Sequence, residues 1–223
     1  MKNKRGLFCI TTGLLLIAAA LAIVGYNMWE DKQAEKSVDK VMEQLKAVVP
    51  LKDEKPSEDV KTVPELTKET IPSEINTEEE IPDYILNPNM EMPKKNIDGY
   101  DYIGVIKIAA SDIELPVISE WSYPALKTAP CRFEGSVYTN DMIIAAHDYK
   151  AHFKKIRNLS GGEKVLFTDA AGNEFQYEVV GVETVGGTDV EGLTSGEWDM
   201  TLFTCTIDGA SRVVVRCERT ENG

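Results

Sequence analysis

Cys205 and Arg212 stand on either side of Asp208-Gly209, inside the run Met-Thr-Leu-Phe-Thr-Cys-Thr-Ile-Asp-Gly-Ala-Ser-Arg-Val-Val-Val-Arg-Cys that occupies 200–217. Two alternating stretches flank Asp-Gly, the dipeptide that most strongly marks a two-residue type I′ hairpin turn. Counting outward from that turn, Ile207 faces Ala210, Thr206 faces Ser211 and Cys205 faces Arg212. Directly opposed residues point to the same side of a sheet, with Cβ atoms ~5 Å apart. The sequence therefore sets a thiol beside a guanidinium that stays charged at any relevant pH. A fixed positive charge favours the thiolate, which is the nucleophilic form of cysteine. The same guanidinium is also suited to donating to a carbonyl oxygen under attack. A cysteine in a strand is commonly only packing, but an arginine opposite a buried one needs a partner for its charge.

A nucleophile that displaces an amine also needs a proton donor, and the chain has two histidines. His147 ends the run Met-Ile-Ile-Ala-Ala-His at 142–147, where a strand meets a loop. Functional side chains are often held at such places by a rigid scaffold. His152 lies among Lys150, Lys154, Lys155 and Arg157 and is assigned a structural role. His147 is the proton shuttle, since imidazole titrates near neutral pH.

These residues must be positioned by a β-domain. Apolar and β-branched runs fall at 102–108, 113–118, 142–146, 164–168, 175–184, 200–206 and 212–217, separated by turn residues such as Gly161-Gly162 and Gly172-Asn173. Many short strands predict a closed or nearly closed barrel. Only 123–127 and 151–158 read as helical.

Upstream, the chain is built differently. Gly6 to Tyr26 carries no charged residue, about the ~20 residues that span a bilayer as a helix. Lys2, Lys4 and Arg5 precede it and Glu30 and Asp31 follow it, which keeps the N-terminus cytoplasmic and sends the rest outside. A cleavable signal peptide is the rival reading, but the apolar run exceeds the ~7–15 residues of a signal core. Val38, Val41, Met42, Leu45 and Val49 recur at helical spacing within 29–49, predicting an amphipathic helix exposed as part of a stalk. From Pro50 to Pro93 an acidic stretch punctuated by prolines predicts an extended spacer. Within it, 84–93 reads as plain linker, with a lid over the site as the alternative. The expected domains are therefore 1–28 (cytoplasmic tip and transmembrane anchor), 29–96 (amphipathic helix and stalk) and 97–223 (catalytic domain).

Over 97–220 the chain resembles the sortases, the membrane-anchored cysteine transpeptidases of Gram-positive surfaces. The resemblance rests on Thr201-Leu-Phe-Thr-Cys205 followed by Arg212, similar to the family's Thr-Leu-x-Thr-Cys…Arg signature, and on Ala145-Ala-His147. It implies a mostly β fold, a closed eight-stranded sortase-like barrel with a few short helices behind the anchor and stalk. It implies His147, Cys205 and Arg212 as the catalytic trio, and Ala145, Phe203 and Thr204 around a bound sorting motif. The implied reaction cleaves a signal resembling Leu-Pro-x-Thr-Gly through a thioacyl intermediate. An amine of a peptidoglycan precursor or of a pilin then takes the acyl group.

Two rival functions are an extracellular cysteine peptidase, in which water takes the acyl group, and a non-catalytic module displayed on a stalk. The second leaves the Cys205–Arg212 pairing unexplained. With 24 Lys+Arg against 37 Asp+Glu and a net charge of −13, the chain lacks the cationic surface that neutralises phosphates, which excludes a nucleic-acid binder. Four cysteines without Cys-x-x-Cys pairs predict neither a disulfide scaffold nor a zinc site. Cys131 and Cys217 are read as free thiols ahead of a bridge. No cofactor is expected. Asp169, and Asp189 with Glu191, are read as solvated turns, with calcium the alternative there.

Overall fold

The seven alternating runs become strands, two short strands join them, and eight of the nine close on themselves. The computed structural model describes residues 2–49, 81–206 and 209–220. Its elements in chain order are α1 (Lys2–Val48), α2 (Asp83–Leu86), β1 (Lys95–Ile97), β2 (Tyr100–Ile108), β3 (Ile113–Ile118), α3 (Tyr123–Leu126), β4 (Cys131–Glu134) and β5 (Met142–Ala146). Then come β6 (Lys164–Asp169), β7 (Glu174–Gly186), α4 (Val190–Thr194), β8 (Met200–Cys205) and β9 (Ser211–Arg219), with a 3₁₀ segment at Phe153–Asn158.

The sheet order is β1-β2-β3-β4-β5-β8-β9-β7-β6, and β2 also pairs with β6. That pairing closes a mixed barrel of eight strands, leaving β1 as an outer edge. The closure is tight at Gly104, where a Cβ would collide with the Thr168 carbonyl. Fully buried Tyr102, Ile106, Ile144, Phe167, Phe175 and Tyr177 fill the interior.

Every run expected to form a strand does so. β1 and β4 were not expected. β4 is four residues long, follows Pro130 and carries Arg132 and Glu134 across a register shift, so its alternation is weak. α4 replaces part of an expected loop because Asp189 caps its first turn, accepting from the Gly192 N–H at 2.8 Å.

The largest difference lies upstream. The apolar run and the amphipathic stretch form one uninterrupted helix, α1. Its first part includes a stretch of mean hydropathy 2.4, none of it buried, long and apolar enough to cross a membrane. Its second part is not solvated. Ala34, Val38, Val41, Met42, Leu45 and Val49 are buried, and this stripe packs against β1 and β3. Lys40 reaches Asp98 at 2.7 Å and Lys46 reaches Glu114 at 2.9 Å, flanking the contact. The spacer expected over 50–93 lies outside the described residues as far as 80. Beyond that it is packed rather than extended: Tyr84 stacks on Tyr138 at 4.8 Å and tilts against Phe175 at 5.2 Å, and Met92 is buried. None of 84–93 lines the cleft described next.

Candidate active site

The pairing of β5 with β8 is parallel, and its last rung joins Ala146 to Thr204. His147 and Cys205 are the next residues along each chain. In adjacent strands, residues on one rung share a face, so the ends of β5 and β8 direct an imidazole and a thiol to the same region. The Thr204 hydroxyl donates to the Ala146 carbonyl at 2.8 Å and fixes the two strand ends together.

Across β8–β9, Cys205 pairs with Arg212 as expected. The Thr206 N–H donates to the Ser211 carbonyl at 2.9 Å, and the Gly209 N–H to the Thr206 carbonyl at 2.8 Å. Gly209 has φ 71°, a conformation glycine adopts without strain. Ile207 and Asp208, and with them the expected Ile207–Ala210 pair and two-residue turn, lie outside the described residues. Arg212 does find partners for its charge: Nη1 donates to the carbonyls of Gly209 at 3.2 Å and Ser211 at 3.1 Å. It therefore braces the turn beside Cys205 and does not line the cleft.

His147 and Cys205 line one open cleft of about 630 Å³. One side is formed by Tyr149, Lys150 and Lys154, and the other by Val24, Met28 and Glu30 of α1. The His147 Nε2 is buried and makes no hydrogen bond among the described residues. No protein group among those residues competes for its lone pair or proton. Burial lowers the His147 imidazole from its ordinary value; the Glu30 charge opposes this and Lys127 reinforces it. The Tyr149 ring stacks on His147 with centroids 4.7 Å apart.

The residues expected around a substrate sit differently. Ala145 and Phe203 share a rung, and both are buried. Phe203 lies two residues before Cys205, on the same face, and meets Phe133 edge-on at 5.5 Å. Thr204 points to the opposite face and is buried. None of the three lines the cleft.

His152 is fully buried, with its imidazole pushed down to about 3 by burial, and its ring lies 5.4 Å from Tyr149. Cys131 and Cys217 are free and buried, and burial pushes both thiols up to about 12. Among the described residues, no group of three His, Cys, Asp or Glu is placed to hold a metal. The acidic turns are occupied locally. Asp169 accepts from the Ala171 and Asn173 N–H groups at 2.8 and 2.9 Å and from the Tyr138 hydroxyl at 2.7 Å; Asp189 caps α4.

One residue of the site, Glu30, was not read from sequence as belonging to it. The signal for Glu30 was indirect: it lies four residues before Ala34, the first buried position of the α1 stripe.

A family model described as the sortase domain matches residues 106–220, more than half of the 223-residue chain. No curated protein sequence matches the chain. Among solved structures, "Sortase C1 of GBS Pilus Island 1" is similar at 19% identity and TM-score 0.49, over 55% of this chain and 66% of that one, just under two thirds. Sortase C of Streptococcus pneumoniae is similar at 25% identity and TM-score 0.48, over 54% of this chain and 70% of that one. Clostridium perfringens sortase C, solved with the C-terminal cell wall sorting motif, is similar at 25% identity and TM-score 0.49, over 65% and 79%. The match of the domain model across β2 to β9, over the barrel that sets His147 and Cys205 on one cleft and pairs Cys205 with Arg212, establishes that this chain belongs to the sortase family.

Proposed function

We propose that this chain is a cysteine transpeptidase acting on a sorting signal that resembles Leu-Pro-x-Thr-Gly. The observation that carries the reading is the parallel β5–β8 ladder, which ends with His147 and Cys205 on one cleft and Arg212 across from the thiol. The Cys205 thiolate attacks the threonyl carbonyl carbon, and the carbonyl electrons move onto oxygen. Backbone N–H groups, joined by the Arg212 guanidinium once it leaves the turn carbonyls, stabilise that oxyanion. As it collapses, the C–N bond breaks and the His147 imidazolium gives its proton to the departing amine, leaving a thioester on Cys205. An incoming amine then loses a proton to the same imidazole, attacks the thioester and releases the thiolate. Ala145, Phe203 and Thr204 contribute by shaping the strands under the bound motif.

Placement follows the same reading. Residues 1–28 anchor the chain in the cell membrane with the N-terminus cytoplasmic, 29–96 connect, and 97–223 act outside. The acceptor is an amine of a peptidoglycan precursor or of a pilin.

The test uses the full chain in detergent micelles with a Leu-Pro-x-Thr-Gly peptide, with and without oligoglycine or hydroxylamine. The expected result is a thioacyl adduct on Cys205 by mass spectrometry, absent in Cys205→Ala, and faster peptide consumption with amide product when an amine is present. Rapid hydrolysis that ignores the amine would assign the chain as a cysteine peptidase instead.

A further inference from the structure

Glu30 is the first acidic residue after the apolar run, and α1 delivers it to the edge of the catalytic cleft. Its carboxylate is only 20% exposed and gathers three donors from separate parts of the chain. The Tyr26 hydroxyl donates at 2.9 Å, Lys127 Nζ at 3.2 Å and the Tyr149 hydroxyl at 3.3 Å. Next to it, Asp31 accepts from the Lys150 N–H at 2.8 Å. Both acids thus hold the loop that follows His147. Burial alone would raise the Glu30 carboxyl, but the hydrogen bonds from Tyr26 and Lys127 outweigh it and hold the group below its ordinary value. It is therefore anionic at neutral pH.

Tyr149 connects this anion to the chemistry. Its ring stacks on the imidazole with an interplanar angle of 30°, while its hydroxyl is held by Glu30. Burial and the Glu30 charge push the phenol up to about 12, so it remains a donor. Around His147 stand Glu30 and Asp31 from α1, Lys127 from the end of α3 and Cys205 from β8. Its own loop adds the Asp148–Arg157 pair, Tyr149, Lys150, His152 and Lys154. Of these, Glu30 and Lys127 act on the imidazole with opposite signs.

We propose that Glu30 is a positioning residue for His147: through Tyr149 it fixes the imidazole plane, and its charge sustains the imidazolium that protonates the leaving amine. The membrane-proximal helix is then part of the working site rather than a tether. This rests on the transpeptidase reading for its kinetic consequence, while the effect on His147 is independent of any substrate.

The experiment compares the full chain in lipid nanodiscs with Glu30→Gln, Glu30→Asp, Lys127→Gln and Tyr149→Phe. The His147 titration is followed by NMR of histidine-labelled protein alongside peptide–amine turnover. Glu30→Gln should lower the His147 midpoint by about half a pH unit or more, and Lys127→Gln should raise it. Turnover in Glu30→Gln should fall about tenfold in kcat with little change in KM, and Glu30→Asp should recover part of it. Tyr149→Phe keeps the stack but frees the ring from Glu30, and should also lower kcat. An unmoved midpoint in Glu30→Gln, or faster turnover because the helix was only a cover, overturns the proposal. Should Glu30→Gln not fold, an unmoved midpoint in Lys127→Gln together with unchanged kcat in Tyr149→Phe overturns it equally. A shifted midpoint without any peptide reaction would leave the positioning intact and remove the transpeptidase reading.

Discussion

The Thr204 hydroxyl bonds to the carbonyl of Ala146, one residue before His147 on one strand and one residue before Cys205 on the other. This contact is buried and ties the two reacting side chains to a shared rung. Thr204→Val keeps the shape and removes the donor of that buried bond. The expected cost is about 1–3 kcal/mol of stability, read by chemical denaturation. Turnover should fall further than stability explains, because the strand ends are free to slide apart.

Arg212→Lys keeps the charge but loses the planar fork that bonds turn carbonyls while facing the thiol. If Arg212 also steadies the oxyanion, kcat should fall about 10²–10³-fold, the usual loss on removing one such donor. Steady-state rates on the sorting peptide decide this. A change within about twofold against that scale would leave Arg212 as a brace for the turn alone.

His152 makes stability acid-sensitive. Its folded value of about 3 lies below its unfolded value, so the unfolded chain takes up the proton first as pH falls. Its contribution is complete above roughly pH 6.5 and declines toward pH 3, by up to about 1.4 kcal/mol per pH unit. The lowered His147 imidazole acts in the same direction. Denaturation midpoints between pH 7 and 5 should therefore fall more steeply for the natural chain than for His152→Gln. Parallel slopes would contradict this.

Leu45 is fully buried where α1 meets the barrel. Leu45→Ala should cost about 2–5 kcal/mol, the range for deleting a core leucine. It should also raise hydrogen exchange along 34–48. A surface-like change of about 0.5 kcal/mol or less would mean that this stretch of helix does not belong to the cooperative unit.

What could be read in advance was whatever depends on local pattern. The runs ending at Ala146 and Cys205 alternate cleanly, and the register from Cys205 to Arg212 follows from turn chemistry a few residues away. β4 escaped because its pairing with β5 is set by neighbours and not by its own sequence of Cys-Arg-Phe-Glu. The α1 stripe was legible as a stripe, but the surface that buries it, β1 and β3, lies across 46 or more residues of chain. Glu30 was invisible for the same reason. It is an ordinary polar residue until the helix docks and it meets Tyr149. Ala145 and Thr204 show the converse, since a motif match marks them while their side chains serve the strands beneath the cleft.

The unbroken run of α1 has a consequence for how substrate arrives. Val24 and Glu30 both line the cleft, and six residues of helix rise only about 9 Å. With α1 set across a bilayer as proposed, that is close to the ~5–8 Å depth of one headgroup layer. The exposed rings of Tyr26 and Trp29, 6.1 Å apart, sit at the level where aromatic side chains favour that layer. The thiol then works at the skin of the membrane, and a substrate with its own membrane segment meets it by sliding in the plane. Encounter becomes a two-dimensional problem, governed by how many such chains share the same patch of lipid and not by their concentration in the surrounding water.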